Sequence, residues 1–127
     1  MGKERRRRKL KLRINMKNPT VSFLDFQKLD LRIGEVKEAN FVEDSRNLIA
    51  MKVDLGDDYG MVEILAGIGE YYKAEELVGE KYIFVANLEP KKMLGRYSNG
   101  MILVAEDEGR PILIEINKRI KNGLVVR

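Results

Sequence analysis

The stretch MVEILAGIGEYYKAEELVGEKYIFVANL, residues 61–88, places one helical segment between two apolar runs. The runs MVEILAG and KYIFVANL are short and rich in β-branched and aromatic residues, a composition that favours strands. The intervening segment IGEYYKAEELVG favours a helix and finishes at Gly79, the residue type at which helices commonly end. We therefore expect a strand, a helix and a second strand in this order.

The residues upstream of this stretch predict a short capped helix followed by two more strands. Ser22 precedes FLDFQ, where its hydroxyl can cap the first helical turn. Leu29, Leu31 and Ile33 then alternate with polar residues along a strand. Gly34 interrupts that strand, which predicts a bulge or a sharp bend. The next run, NLIAMKVDLG, is expected to form a hairpin with MVEILAG.

The residues downstream add the remaining strands. GMILVAE predicts a fifth strand and RPILIEIN a further one, with Pro111 at its start indicating a sheet edge. Short strands with a single helix after the third are typical of the oligonucleotide/oligosaccharide-binding (OB) fold. We predict an all-β domain at residues 21–127. It is a five-stranded Greek-key OB barrel with one helix between strands 3 and 4 and a C-terminal strand extension.

The composition excludes several classes of function. The chain of 127 residues has no cysteine and no histidine, which removes disulfides, thiolate nucleophiles, the usual zinc ligands and a histidine base. No nucleophile–base pair is apparent in the sequence, so we expect no catalysis, no metal and no cofactor. No apolar run approaches the length of a membrane span and no signal peptide is recognisable, so we expect a cytoplasmic protein without membrane contact.

The positive charge is concentrated at the N-terminus. Residues 1–20 hold nine lysines and arginines and one acidic residue, whereas residues 21–127 hold 15 basic and 19 acidic residues. We interpret residues 1–20 as a basic arm that contacts RNA without sequence selectivity. Its contact residues are Arg5, Arg6, Arg7, Arg8 and Lys9. Two alternatives stay open: a solvated terminus whose apolar residues lie along a sheet edge, or a functional start at Met16.

The connection between the predicted fourth and fifth strands, ANLEPKKMLGRYSNGM at residues 86–101, combines cations, glycines and hydrogen-bond donors. Its cations match consecutive phosphates, its glycines allow close approach of a backbone, and its tyrosine and methionine offer a surface to an unstacked base. We expect the cations to lie together at one rim of the barrel. The alternative is a solvated turn followed by the first core residue of a strand. The candidate residues are Lys91, Lys92, Arg96, Ser98, Asn99 and Met101.

Two further groups of residues follow from the expected barrel. OB folds bind ligands on strands 2 and 3 and on the loops that join strands 1–2 and 4–5. The first of these loops, NFVEDSRNL, supplies Arg46 and Asn47 as candidate RNA contacts. Tyr71 and Tyr72 in the helical segment are expected to make one core contact and one rim contact rather than a stacking surface.

Four segments, DFQKLDLRIGEV, MKVDLG, AGIGEYYKAEELVG and VANLEPKKMLGRYSNGMILVAE, together resemble the tRNA-binding OB family. The resemblance covers about residues 23–107 in one collinear order. The family includes free-standing dimeric tRNA-binding proteins, the C-terminal or separate β part of methionyl-tRNA synthetases, and the tRNA-binding domains of synthetase-associated factors. A branch of bacterial export chaperones shares the fold.

The resemblance implies a non-catalytic module that grips the outside of tRNA by its shape and phosphates. Such modules are usually homodimers, and some serve a methionyl-tRNA synthetase catalytic chain. By motif, Ser98 and Met101 match family positions implicated in tRNA contact, and Lys91 and Lys92 match a basic pair. Asn47 stands where the family often carries a lysine, so the neighbouring Arg46 is expected to substitute. The alternative is an export-type chaperone that holds unfolded protein on exposed apolar surface.

Overall fold

The computed structural model describes residues 17–127, which contain two short helices and ten strands. The elements are α1 (Phe23–Gln27), β1 (Leu31–Phe41), β2 (Ile49–Asp54), β3 (Met61–Ala66), α2 (Ala74–Leu77), β4 (Lys81–Val85), β5 (Lys91–Met93), β6 (Arg96–Ser98), β7 (Met101–Ile102), β8 (Val104–Asp107), β9 (Arg110–Leu113) and β10 (Val125–Val126). The predicted N-terminal cap is confirmed, since the Asp25 N–H donates to the Ser22 hydroxyl at 3.0 Å. The predicted arm residues 5–9 lie outside the described part of the chain.

One curved antiparallel sheet forms the barrel. Its strand order is β3-β2-β1-β4-β7, and β10 pairs with β1. The first half of β1 pairs with β4, from Leu31 to Glu35. The second half pairs with β2, from Glu35 to Phe41. Because one long strand belongs to both halves, the sheet curls around it. This arrangement confirms the predicted all-β, OB-like fold.

The core is formed by alternate side chains of the central strands. Ile49, Met51 and Val53 of β2 have no exposed surface. They face Tyr82 and Phe84 of β4, whose rings meet edge to face with centroids 6.4 Å apart. Burial raises the pKa of Tyr82 to about 12. Each apolar side chain that is fully buried in this way contributes about 1.5–3 kcal/mol.

Gly34 lies at the point where β1 passes from one partner strand to the other. A Cβ atom at this position would lie 2.7 Å from Val53 Cγ1 and 2.8 Å from both Leu55 Cδ2 and Phe84 Cδ2. No side chain fits there, because contacts below 3.0 Å require neighbouring atoms to move. The glycine that the sequence marks as an interruption therefore permits close packing of the core against β1.

The predicted helix is shorter than its sequence suggests. Within the predicted segment IGEYYKAEELVG, only α2 is helical. The Glu76 carboxylate accepts a hydrogen bond from the Lys73 N–H at 3.3 Å and fixes the start of the helix there. Tyr71 and Tyr72 precede it. Tyr72 packs against the core and donates from its hydroxyl to the Pro111 carbonyl at 3.0 Å, whereas Tyr71 is 46% exposed. The expected division into one core and one rim tyrosine is confirmed.

Two strand details also differ from the prediction. The register of β1 on β2 shifts between Val36 and Glu38, so the bulge lies beyond Gly34 rather than at it. The predicted fifth strand is divided at Leu103, whose N–H donates to the Ile83 carbonyl at 2.9 Å. After this point β8 leaves the barrel and forms its own hairpin with β9.

The C-terminal extension is held against β1 by a charged cluster. Strand β10 pairs with the start of β1, which confirms the predicted C-terminal strand. The Arg32 guanidinium donates to Asp30 at 2.7 Å, to Asp58 at 2.8 Å and to the Gly123 carbonyl at 2.9 Å. It thereby joins β1, the β2–β3 turn and the C-terminal segment. The hydrogen bond from Arg32 holds the pKa of the Asp30 carboxyl below its usual range.

We expect Gly34→Ala to lower the free energy of unfolding by about 1–3 kcal/mol, because the added methyl group overpacks the core. Gly67→Ala is the matched control, since a Cβ there meets its nearest neighbour, Asn47 Nδ2, at an ordinary 3.5 Å. Urea unfolding of both variants at equal protein concentration measures the effect. Equal stability of the two variants would contradict the close approach at β1.

Candidate nucleic-acid interface

The connection between β4 and β7 is a hairpin and not the open loop that the sequence suggests. Strands β5 and β6 pair within it. Its tip is Leu94 and Gly95, which have positive φ values of 49° and 76°. Positive φ at both central residues is what a two-residue hairpin turn requires. The cations of this connection are therefore held on strands with defined directions.

The hairpin sends neighbouring cations to opposite faces, because successive side chains of a strand alternate. Lys91 and Met93 lie on the face toward β3. Lys92 lies on the outer face opposite Tyr97, with its Nζ 6.0 Å from the ring centroid. Both lysines are exposed. The expectation that the cations lie together at one rim of the barrel is thus wrong, because the two lysines are presented on opposite faces of the hairpin.

The Arg96 side chain forms an ion pair within the protein. Its guanidinium donates to the Glu63 carboxylate of β3 at 2.7 Å. Both side chains keep substantial exposure, and a surface ion pair of this kind is worth about 0–1 kcal/mol. Arg96 can therefore exchange Glu63 for a phosphate at low cost, although it is not presented as an open cation.

Ser98 closes the barrel. It is only 3% exposed, and its hydroxyl accepts from the Leu65 N–H at 2.9 Å while donating to the Gly100 carbonyl at 3.0 Å. The Asn99 N–H donates to the Glu63 carbonyl at 2.9 Å. These bonds join β3 to the segment between β6 and β7. The expected direct contact of the Ser98 hydroxyl with RNA is corrected by this geometry: the residue fixes the loop and offers no open group.

An apolar groove lies beside the β5–β6 hairpin, between the end of β3 and the start of β7. Its volume is about 580 Å³. Its lining is mostly apolar and includes Leu65, Ile68, Leu88, Met93, Met101 and Val104, with the exposed and oppositely charged Glu89 and Lys91 among the lining residues. Met101, which the sequence places in the site, contributes a half-exposed side chain to this groove.

The β1–β2 connection lies behind the groove, on the other side of Gly67. The Asn47 carbonyl accepts from the Gly69 N–H at 2.7 Å, and its side chain lies against Gly67, which lines the groove. Arg46 is exposed directly beside it. The structure therefore brings Lys91 and Met101 together on one groove. Asn47 lines the neighbouring pocket across Gly67, and Arg46 and Lys92 lie outside the groove.

Leu88 and Met93 line the groove but are absent from the residues that the sequence suggests. Leu88 is 40% exposed, and its position between the polar residues Asn87 and Glu89 is the sequence feature that could have indicated it. Among residues 17–127, no group of three or more carboxylates lies close enough together to hold a metal ion. In the same residues, no helix is long and apolar enough to cross a membrane.

The family model described as "Putative tRNA binding domain" matches residues 31–124 of the chain. The chain belongs to this family. The matched range contains the barrel, the groove and both candidate loops, so the domain is a tRNA-binding domain of OB-like fold. The resemblance seen in the sequence is confirmed.

The curated relatives are much longer proteins. The domain is 47% identical over 113 residues to the methionine–tRNA ligase of Methanocaldococcus jannaschii, and the match covers 88% of this chain but 17% of that enzyme. It is 45% identical over 107 residues to the corresponding ligase of Thermococcus kodakarensis, covering 84% of this chain and 14% of the enzyme. The chain thus corresponds to one domain, about a sixth of the length of these synthetases.

Solved structures of similar length superpose over most of the chain. A MetRS related protein from Pyrococcus horikoshii aligns with a TM-score of 0.82 and 34% identity, covering 87% of this chain and 100% of that one. The chaperone CsaA from Bacillus anthracis aligns with a TM-score of 0.76 and 31% identity, covering 86% and 100%. The two branches that the sequence suggests are therefore both represented among the structural neighbours.

We expect Ser98→Ala to lower the free energy of unfolding by about 1–3 kcal/mol, because the Leu65 N–H would remain buried without its acceptor. Asn99→Ala is the control. It keeps the backbone bond to Glu63 and should change stability by less than about 0.5 kcal/mol. Thermal and urea unfolding measure both variants. A loss for Ser98→Ala no larger than for the control would show that barrel closure does not depend on the hydroxyl.

Proposed function

We propose that the domain grips the outside of a folded tRNA by phosphate contacts from Lys91, Lys92 and Arg46, without carrying out catalysis. The observation that carries this proposal is the β5–β6 hairpin, which presents two exposed lysines beside the groove of a tRNA-binding domain. Contacts of this kind position RNA by shape and give little sequence selectivity. Arg96 joins them once the phosphate replaces Glu63, while Asn47 and Ser98 hold the groove in shape.

The charge distribution supports a local grip. Residues 21–127 carry 15 basic and 19 acidic residues, so the domain as a whole does not attract RNA. Binding therefore depends on where its cations lie. The basic arm at residues 1–20, with Arg5, Arg6, Arg7, Arg8 and Lys9, adds affinity that is independent of RNA shape.

The setting of this function is tRNA aminoacylation in the cytoplasm. The relatives carry the same domain as one part of methionine–tRNA ligases. We infer that this chain assists the catalytic part of such a synthetase, either within one polypeptide or as a separate subunit, by holding tRNA near it.

The decisive test is the salt dependence of tRNA binding. Each neutralised phosphate makes the slope of log K against log salt more negative by about 0.7–0.9, so Lys91→Ala with Lys92→Ala should make the slope less steep by about 1.4–1.8. Fluorescence anisotropy with unfractionated tRNA across a salt series measures it. Weaker binding at every salt concentration is expected as well.

The control removes the same charge elsewhere. Lys118 and Lys121 lie in the C-terminal segment beside the start of β4, as shown by the Lys118–Glu80 ion pair at 2.9 Å, and the groove lies at the other end of that strand. Lys118→Ala with Lys121→Ala should leave the slope nearly unchanged. Equal slopes for the two double variants would reject the hairpin as the site. The same measurement on a chain without residues 1–15 separates the arm from the hairpin.

A further part of the proposal is that the domain acts as a homodimer. The support comes from α1, because none of its side chains is buried within residues 17–127. Phe23 is 71% exposed and Leu24 is 73% exposed, and the apolar Leu29, Leu124 and Val125 are about half exposed. A five-residue helix is not stable alone in water, so an exposed apolar face on it is best explained by a partner surface.

This apolar face is connected to the RNA-binding hairpin. The Asn87 side chain accepts from the Asp30 N–H at 2.8 Å and donates to the Lys28 carbonyl at 2.7 Å. Asn87 lies just before the hairpin and ties it to the end of α1. A second copy seated on α1 would therefore also fix the direction of the two hairpins, as a grip on one tRNA requires.

We expect Leu24→Glu to raise the dissociation constant of the dimer at least about tenfold, because burying a carboxylate without a partner costs well over 1.4 kcal/mol. Analytical ultracentrifugation measures the change. Ile112→Glu on β9 is the control, since Ile112 is also exposed but lies away from α1. A wild-type chain that sediments as a monomer would contradict the dimer. So would a dimer that Leu24→Glu leaves intact.

One observation favours a second candidate function. The groove is more apolar than the sequence of the hairpin suggests, and the chaperone CsaA is among the structural neighbours. An apolar groove suits an unfolded peptide as well as it suits part of an RNA. Suppression of client aggregation at protein concentrations that do not retard tRNA would favour the chaperone.

A further inference from the structure

The lysines account for phosphate contacts but leave the apolar groove beside them without a role. We propose that this groove holds one unstacked nucleobase of the bound RNA. The inference rests on the proposed function, since it assumes that RNA approaches the β5–β6 hairpin. It adds that the domain prefers RNA with an unpaired base over RNA that is fully paired.

The floor of the groove is lined mostly by apolar residues, and its polar side chain already forms hydrogen bonds within the protein. Ser98 is the polar side chain at the floor, and its hydroxyl already donates to Gly100 and accepts from Leu65. An entering group is therefore not required to supply a hydrogen bond there. The volume of about 580 Å³ falls within the range of roughly 300–1,000 Å³ of small-molecule sites. A flat base fits these conditions.

The walls suit the faces of a base. Met101 is 47% exposed and Leu88 is 40% exposed, so both are accessible to a ligand from solvent. Methionine is flexible and polarizable and adapts its surface to a planar ring. Enzymes that extrude bases likewise hold them between apolar or aromatic side chains.

The mouth of the groove supplies the second half of a nucleotide. Lys91 lines the groove with an exposed side chain, and Lys92 follows on the outer face of the same strand. Glu89 also lines the groove with an exposed side chain, so a ligand seated here meets an apolar slot bordered by one cation, Lys91, and one carboxylate, Glu89. A nucleotide combines a planar base, which matches the slot, with a phosphate, which matches the cation.

An extended peptide fits the groove less well. Peptides commonly bind by adding a strand to an open sheet edge. Along the outer edge of β3, the Glu63 carbonyl accepts from Asn99 and the Leu65 N–H donates to Ser98. These two groups are closed to strand addition, so a peptide would have to bind by its side chains. We therefore favour the base over the peptide.

The experiment compares two RNA hairpins with the full chain. One hairpin has a fully paired stem, and the other has the same stem with a single bulged adenine. The wild-type chain should bind the bulged hairpin about tenfold more tightly, since stacking of one base is worth about 1–3 kcal/mol. Leu88→Ala with Met101→Ala should reduce this preference to about twofold or less, because the variant loses more affinity for the bulged hairpin than for the paired stem.

Met61→Ala with Ile112→Ala is the matched control. These residues are also exposed and apolar, at 55% and 44%, but they do not line the groove. This variant should keep the full preference. When 2-aminopurine replaces the bulged adenine, its fluorescence should rise on binding to the wild type and to the control, because the base leaves the stack, and not on binding to the groove variant.

The outcomes separate the two proposals. Equal affinity of the wild type for both hairpins overturns the nucleobase site, while a lysine-dependent salt slope with tRNA would leave the proposed function standing. A groove variant that loses affinity for both hairpins alike also overturns the site. An apolar peptide that binds the wild type but not the groove variant, without displacing the bulged RNA, would assign the groove to peptides instead.

Discussion

The structure depends on the hydrogen bonds that close the barrel between β3 and the segment after β6. The Ser98 hydroxyl and the Asn99 N–H connect this segment to Leu65 and Glu63, and so join the last strand of the curled sheet to the β5–β6 hairpin. Without them the edge of β3 would be open at these two positions, and the hairpin would be held against β3 only by the Arg96–Glu63 ion pair and the packing of Met93. The same bonds create the floor of the apolar groove, so barrel closure and the candidate site are one arrangement. A hydroxyl can be buried here because its one donor and one of its two acceptor lone pairs are used.

The rest of the barrel is organised around β1. This strand pairs with β2, β4 and β10 along its length, and Gly34 lets the core approach it where the partners change. Arg32 donates to Asp58 in the β2–β3 turn and to the Gly123 carbonyl, and so holds that turn and the C-terminal segment against β1. The N-terminal helix stays outside this framework and buries none of its side chains among the described residues. Hydrogen bonds of the Asn87 side chain connect the end of this helix to the segment before the β5–β6 hairpin. They therefore link the proposed dimer surface to the proposed RNA-binding hairpin.

The positive charge that can attract a polyanion depends on a few individual side chains in this domain. The domain at residues 21–127 has more acidic than basic residues, so the positions of a few cations decide whether a polyanion binds. The hairpin projects Lys91 and Lys92 to two sides, whereas Arg96 is held by Glu63. Under the proposed function, a phosphate backbone that follows the hairpin meets both lysines, and the groove beside Lys91 holds one base. Charged and apolar surface are adjacent at Lys91 and Glu89, which line the groove.

The sequence by itself determined the features that depend on neighbouring residues. The cap at Ser22, the β2–β3 hairpin, the single helix after the third strand and the basic connection at residues 86–101 follow from local pattern, and together they indicated the OB-like fold. Only the tertiary structure decided which way each cation points, why Ser98 is buried and that Leu88 and Met93 share a groove with Met101. The physical reason is that these properties depend on strand register and on contacts between distant segments, such as the bond between Leu65 and Ser98 across 33 residues. Local composition does not encode that register.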